Sequence, residues 1–317
     1  MIPDPALFSA EAIDPDTSRF VEELRATLAD APDPWNFPAP LLREARERGE
    51  SIFGMFVTSD RAAERTIPGP EGDVGLRIIE PETDPVGVYL HIHGGGWMLG
   101  ASHHQDERLV DMADQLGIVT ASVEYRLAPE HPYPAGPDDC EAAAVWLVEH
   151  ARNEFGTDRL IIGGESAGSH LSAVTLLRMR DRHDYTDWVA ANLTYGQFDM
   201  SGTPSVRNWG SENLVLSTPI IEWFSQAFLG DLNRSDPDIS PMFADLSDLP
   251  PALFSVGTLD PLLDDSLFMS QRWAAVGNEA ELAIYPGGVH AFDYWDEPLG
   301  RRSHAKVAEF LGTHLAT

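Results

Sequence analysis

The chain is expected to fold as an α/β protein with a mainly parallel sheet, and three observations carry that expectation. From about residue 74, short segments rich in β-branched residues alternate with segments of helical periodicity. Most of the strand-like segments are bounded by Gly, Pro or Asp. With 43% hydrophobic and 23% charged residues, the chain can bury a sizeable core, which argues against wholesale disorder. Strand–helix alternation then places helices on both faces of the sheet.

The N-terminal stretch breaks the alternation. Residues 1 to about 50 read as Pro-interrupted helix, with DTSRFVEELRATLAD, then APDPWNFPAP, then PLLREARERGE. Strands are expected at VGLRIIEP, VGVYLHIH, GIVTASVEY, RLIIGGE, VAANLTYG, ALFSVGTLD and AELAIYP. Asp138 is the expected N-cap of the helix DDCEAAAVWLVEHA. A second irregular block, about 200–245, holds a helix around TPIIEWFSQAFLG. The expected organisation is therefore a core of 51–199 and 246–317, with 1–50 and 200–245 forming a helical cap.

Charge and cysteine content narrow the function classes. The formal net charge is −30 and Lys306 is the only lysine, a surface that repels phosphate backbones and anionic membranes. Nucleic acid is excluded as a partner on that ground. Adaptation to high salt is one reading of the acidity; the other is ordinary acidic drift together with a coding bias that replaces Lys with Arg. No apolar run reaches the roughly 20 residues that span a bilayer, so stable membrane insertion is not expected. The start lacks a basic region leading into an apolar one, so it does not read as a signal peptide. Cys140 is the only cysteine, a small packed residue of its helix, and a reducing cytoplasm fits it.

The chemistry is carried by four short stretches. Gly164-Glu165-Ser166-Ala167-Gly168 lies between an expected strand and an expected helix, where a very tight turn would project the Ser166 hydroxyl. His93-Gly94-Gly95-Gly96-Trp97 follows a strand, and its glycines let backbone N–H groups point into a pocket as oxyanion donors. Ala167, just after Ser166, supplies a further amide. A phosphate-binding loop is the competing reading of the glycines, weakened by the missing P-loop lysine. Asp260 ends one strand and His290 follows the last, giving the order Ser, Asp, His. Ser166 would be the nucleophile, His290 its base, and Asp260 the group that orients the imidazole.

Other candidates have weaker roles. Asp264 and Asp265 read as surface carboxylates or as supports for the site. Glu165 could orient neighbouring loops or lie on the surface. His93 is expected to brace the glycine loop. The pairs His91/His93 and His103/His104 lack a metal-ligand spacing, so no metal and no cofactor are expected. Trp97 and Phe198 are the candidate substrate-binding side chains.

Together these stretches resemble the bacterial hormone-sensitive-lipase-like esterases of the α/β-hydrolase superfamily. The resemblance rests on HGGGW at 93–97, YRLAPEHPYPA at 125–135, GESAG at 164–168, DPDISP at 236–241, LPPALFSVGTLDPLLDD at 249–265 and GGVHAF at 287–292. It implies an eight-stranded sheet and a cap built from the N-terminal segment and a later insertion. It also implies hydrolysis of short- to medium-chain acyl esters without a cofactor, by a monomer or homodimer. The oxyanion donors it implies are Gly95, Gly96 and Ala167. The sequence departs from the family where Glu165 replaces the usual Asp and Ser169 a frequent glycine. Alternatives are an amidase or arylacetamide-type deacetylase with the same triad, a triglyceride lipase, and a non-catalytic small-molecule receptor.

Overall fold

The computed structural model describes residues 3–316. Eight strands, β1 (Ala63–Gly69), β2 (Gly72–Ile79), β3 (Gly87–Ile92), β4 (Ile118–Glu124), β5 (Leu160–Glu165), β6 (Trp188–Thr194), β7 (Ala252–Leu259) and β8 (Ala280–Val289), form one sheet in the order β1-β2-β4-β3-β5-β6-β7-β8. β2 runs antiparallel to both its neighbours, and every pairing from β4 to β8 is parallel. The α/β expectation holds.

Strand β1 was not legible in the sequence. Of AERTIPG only Ile67 is buried, and Pro68 interrupts the run, so neither alternation nor β-branched density marks it. It is an edge strand held by its hairpin with β2. The central strands show the opposite pattern, since every residue of β3 and of β5 is buried. Such runs arise when both faces of a sheet are covered.

The helices are α1 (Pro15–Leu28), α2 (Ala39–Glu47), α3 (Asp106–Leu116), α4 (Ala135–Phe155), α5 (Ala167–His183), α6 (Pro204–Trp209), α7 (Thr218–Leu229), α8 (Leu263–Ala275) and α9 (Pro298–Leu315). On one face Val88, Leu90 and Ile92 of β3 pack with Cys140 and Leu147 of α4, Leu171 of α5 and Trp273 of α8. On the other face Tyr89 packs with Leu109 of α3 and Phe310 of α9. The period of two along β3 thus decides which helices each residue meets.

One local expectation needs correction. Asp138 does not cap α4, which starts three residues earlier at Ala135 with Pro134 at the cap. Pro137 falls in the first turn, where a missing N–H costs no helical bond, so the helix extends past it. Asp138 instead accepts from Arg178 at 2.8 Å. α1 lies against β8 through Val21, Leu24 and Leu28, which join Val256, Tyr285 and Val289.

Candidate active site

The strand β5 delivers Ser166 to the carboxyl edge of the sheet, and α5 begins at the next residue. Ser166 has φ 55° and ψ −119°, a left-handed conformation costly for any residue with a side chain. The chain holds it there through Ser166 N donating to Thr194 O at 2.9 Å. Both flanking glycines are required by the neighbouring strand. A Cβ on Gly164 would sit 2.0 Å from the Ile92 carbonyl oxygen, and one on Gly168 would sit 1.8 Å from it. The turn therefore nests directly on the end of β3.

His290 donates from Nδ1 to Asp260 Oδ2 at 2.9 Å, and its Nε2 accepts from Ser166 Oγ at 2.8 Å. Asp260 is buried, and its other oxygen accepts from Leu262 N at 2.8 Å. With Oδ1 so occupied, the carboxylate has one oxygen left for the imidazole, which sets the tautomer.

The glycine loop stands opposite. Gly95 and Gly96 have φ of 120° and 62°, and a Cβ on Gly96 would strike Phe224 of α7 at 2.4 Å. Gly94 N donates to Glu165 Oε1 at 2.8 Å. Among the described residues, the amides of Gly95, Gly96 and Ala167 have no protein acceptor. Ala167 N belongs to the first turn of α5, where backbone donors are unsatisfied and the helix dipole is positive.

Glu165 is the unexpected member. It is buried, accepts from Gly94 N, and meets His91 Nε2 at 3.0 Å. Burial alone would raise its pKa. The charge and hydrogen bond of His91, the Arg108 charge and the Gly94 amide outweigh that and hold it down to about 2. It is no surface carboxylate.

A cavity of ≈ 330 Å³ opens onto Ser166 and His290. Its walls come from both irregular segments, with Leu42, Ala45 and Arg46 of α2 facing Ile220 and Phe224 of α7. Phe53, Phe56 and Tyr294 complete the apolar lining.

Residues 89–294 match the α/β-hydrolase fold family. The chain belongs to that family. Its relatives place this α/β hydrolase among the hormone-sensitive-lipase-like esterases. The hydrolase is 35% identical over 238 residues to the carboxylic ester hydrolase LipN of Mycobacterium tuberculosis, across 72% of this chain and 63% of LipN. The match thus spans less than two thirds of LipN's own length. Esterase LipI of the same organism is 34% identical over 246 residues, 73% of this chain and 75% of that protein. In structure, the hydrolase superposes on the esterase from the archaeon Pyrobaculum calidifontis with a TM-score of 0.85 at 28% identity, covering 96% and 99% of the two chains.

The fold of this hydrolase brings Ser166, Asp260, His290, Gly95, Gly96 and Ala167 to one place, and leaves Trp97 and Phe198 outside it. Trp97 is buried, stacks on Phe228 at 4.9 Å between ring centroids, and donates from Nε1 to His170 Nδ1 at 3.1 Å. Phe198 is fully buried against Phe254. Neither lines the cavity. Trp97, at φ 59°, is held away from the cavity by that stacking and hydrogen bond. Phe198 is held in the core, its N–H donating to Asp265 Oδ1 at 2.7 Å.

Asp265 is likewise no surface carboxylate. It is fully buried, and accepts from the Phe198 and Asp199 amides and the Thr203 hydroxyl. Burial pushes its carboxyl up to about 7 in spite of those donors. Asp264 accepts from Ser205 N at 2.8 Å. The pair ties α8 to the start of the 200–245 segment.

His93 braces the glycine loop as expected, donating from Nδ1 to Gly94 O at 2.9 Å and stacking on Tyr125. His103 and His104 each meet Glu47 of α2, at 3.0 and 2.7 Å. These three residues offer donor atoms within 4.8 Å of one another, a set suited to a divalent cation. Arg46 works against that use. Burial is the main cause that holds His104 down to about 4, and the Arg46 charge adds to it.

Three residues behind His290 escaped sequence reasoning. Tyr195 presents its ring to the imidazole at 4.8 Å and donates its hydroxyl to Asp293, which Arg108 meets at 3.2 Å. Asp293 lies three positions after His290, but nothing in the local sequence points to Tyr195 or Arg108.

Proposed function

We propose that this chain is a serine carboxylesterase acting on short- to medium-chain acyl esters through an acyl-enzyme. One observation carries the reading: the hydrogen-bonded chain Ser166–His290–Asp260 opens into the apolar cavity. Ser166 Oγ attacks the ester carbonyl carbon while His290 Nε2 takes its proton. The negative oxygen of the tetrahedral intermediate falls to the amides of Gly95, Gly96 and Ala167. Collapse breaks the bond to the alkoxide, which leaves with the proton from His290. Water, activated by the same imidazole, then releases the acid.

The cavity volume of ≈ 330 Å³ supports the size class, being at the small end of ligand pockets. The names of the relatives, carboxylic ester hydrolase and esterase, support the bond type. The segments 1–50 and 200–245 act as the cap, since both contribute to the cavity wall. No helix among the described residues is long and apolar enough to cross a membrane. Cys140, buried in α4, supports a reducing compartment.

The test is a p-nitrophenyl ester series from acetate to palmitate, run with wild type and Ser166→Ala. Turnover should peak at short or medium chains and disappear in the variant, while its far-UV spectrum stays unchanged. Undiminished hydrolysis by Ser166→Ala would end this reading.

A further inference from the structure

Most arginines of this acidic chain reach a carboxylate, as Arg43, Arg48, Arg77, Arg108, Arg126 and Arg178 do. Arg46 does not. Its guanidinium carbon lies 4.8 Å from the centre of the Phe53 ring, and among the described residues its side chain makes no hydrogen bond or ion pair. Glu47, the adjacent carboxylate, is taken by His103 and His104. Arg46 also lines the cavity that holds Ser166 and His290.

The rest of the lining sharpens the point. Its other charged groups, Glu50 and Glu165, are already engaged: Glu50 by Arg48 at 2.7 Å, Glu165 by His91 and the Gly94 amide. Arg46 is thus the charged side chain of the cavity left without a counter-charge in contact, among the described residues. Arg46 is half-buried, and desolvation draws its pKa below the ordinary guanidinium value. A guanidinium keeps its charge and offers a planar fork of donors matched to a carboxylate. An unpaired cation in an apolar pocket is costly, and an anion arriving with the ligand removes that cost. The net charge of −30 means that no general surface attraction would serve the same end.

We propose that Arg46 is a specificity residue for esters that carry a carboxylate, binding that group while Ser166 attacks the ester bond. This rests on the esterase reading above. The carboxylate can sit on the acyl part or on the leaving alcohol, and the two are told apart by substrate pairs. One pair is p-nitrophenyl hydrogen adipate and its neutral methylheptanoate isostere. The other is carboxyphenyl butyrate and tolyl butyrate.

For each pair, kcat/KM of the anionic ester is divided by that of the neutral one, in wild type, Arg46→Leu and Arg46→Lys. Comparing that ratio between proteins cancels the intrinsic reactivity of the esters. Arg46→Leu should lower the ratio about tenfold to a hundredfold in one pair, the range of a lost charge-assisted hydrogen bond. Arg46→Lys, which keeps the charge, should recover part of it. A ratio unchanged in both pairs overturns the proposal. Should Arg46→Leu fail to fold, inhibition of the wild type decides: phenylbutyrate must compete better than phenylbutanol, and equal inhibition also overturns it. Hydrolysis of the neutral esters is read in the same assay. Its absence from the wild type would count against the esterase reading itself, and its presence without selectivity against Arg46 alone.

Discussion

Glu165 occupies the variable position before Ser166, yet it is built into the turn and the glycine loop beside it. Its carboxylate ties the glycine loop, through Gly94 N, to the turn that carries Ser166. Its pKa is depressed from 4.5 to about 2, so the folded state binds this proton more weakly than the unfolded chain does. The stability that follows is fully present above about pH 4.5 and is lost as pH falls toward 2. It is of order 3 kcal/mol. Glu165→Gln should therefore flatten this part of the acid-unfolding profile, measured as urea midpoints between about pH 2 and 5. An identical pH slope in wild type and variant would show that other carboxylates govern acid unfolding. At neutral pH the variant should lower kcat more than it alters KM, because in the proposed mechanism the amides of the loop act on the transition state.

Helix α2 forms a wall of the cavity but is short and Pro-rich at its start, so propensity alone would not hold it. Arg43 anchors it, donating from Nε to Met98 O and from Nη2 to Ala128 O, both at 2.7 Å. Both carbonyls belong to the core segment that follows the glycine loop. Arg43→Met should cost about 1–3 kcal/mol, the range for hydrogen bonds to a charged group and for carbonyls left without partners. Urea unfolding reads that loss. Because Leu42 and Ala45 of α2 line the cavity, undocking it should raise KM for neutral esters more than it lowers kcat. A variant with wild-type stability and KM would place the anchor elsewhere, for instance in the contacts of Glu47 with His103 and His104.

Across the molecule, the net charge of −30 sets a self-repulsion that ion pairs relieve only locally. Many of those pairs are exposed, such as Arg48 with Glu50 and Arg301 with Asp296, and contribute little each. Raising NaCl from about 10 mM to about 1 M shortens the screening length from roughly 30 to 3 Å, so repulsion should weaken more than the contact pairs do. The melting temperature should rise over that range. A flat or falling melting curve would mean that the pairs outweigh the repulsion, and would remove salt adaptation as the reason for the acidity.

The strand–helix alternation, the turn around Ser166, the glycine loop and the order of Asp260 and His290 are all legible in the sequence alone. Each is a local pattern: a period of two or of 3.6, or a backbone demand for glycine that neighbouring residues reveal. Strand β1, the burial of Glu165 and Asp265, the Tyr195–Asp293–Arg108 support of His290, and the unpaired Arg46 in the cavity were not. These depend on contacts between segments far apart in the chain, as with Glu47 and His104 or Tyr195 and Asp293. A periodicity reports which face of an element is buried, and carries no signal for which distant side chain it meets there. The same limit misled the reading of Trp97 and Phe198. Trp97 adjoins the glycine loop and Phe198 follows β6, but the direction of each side chain is decided by the packing around it.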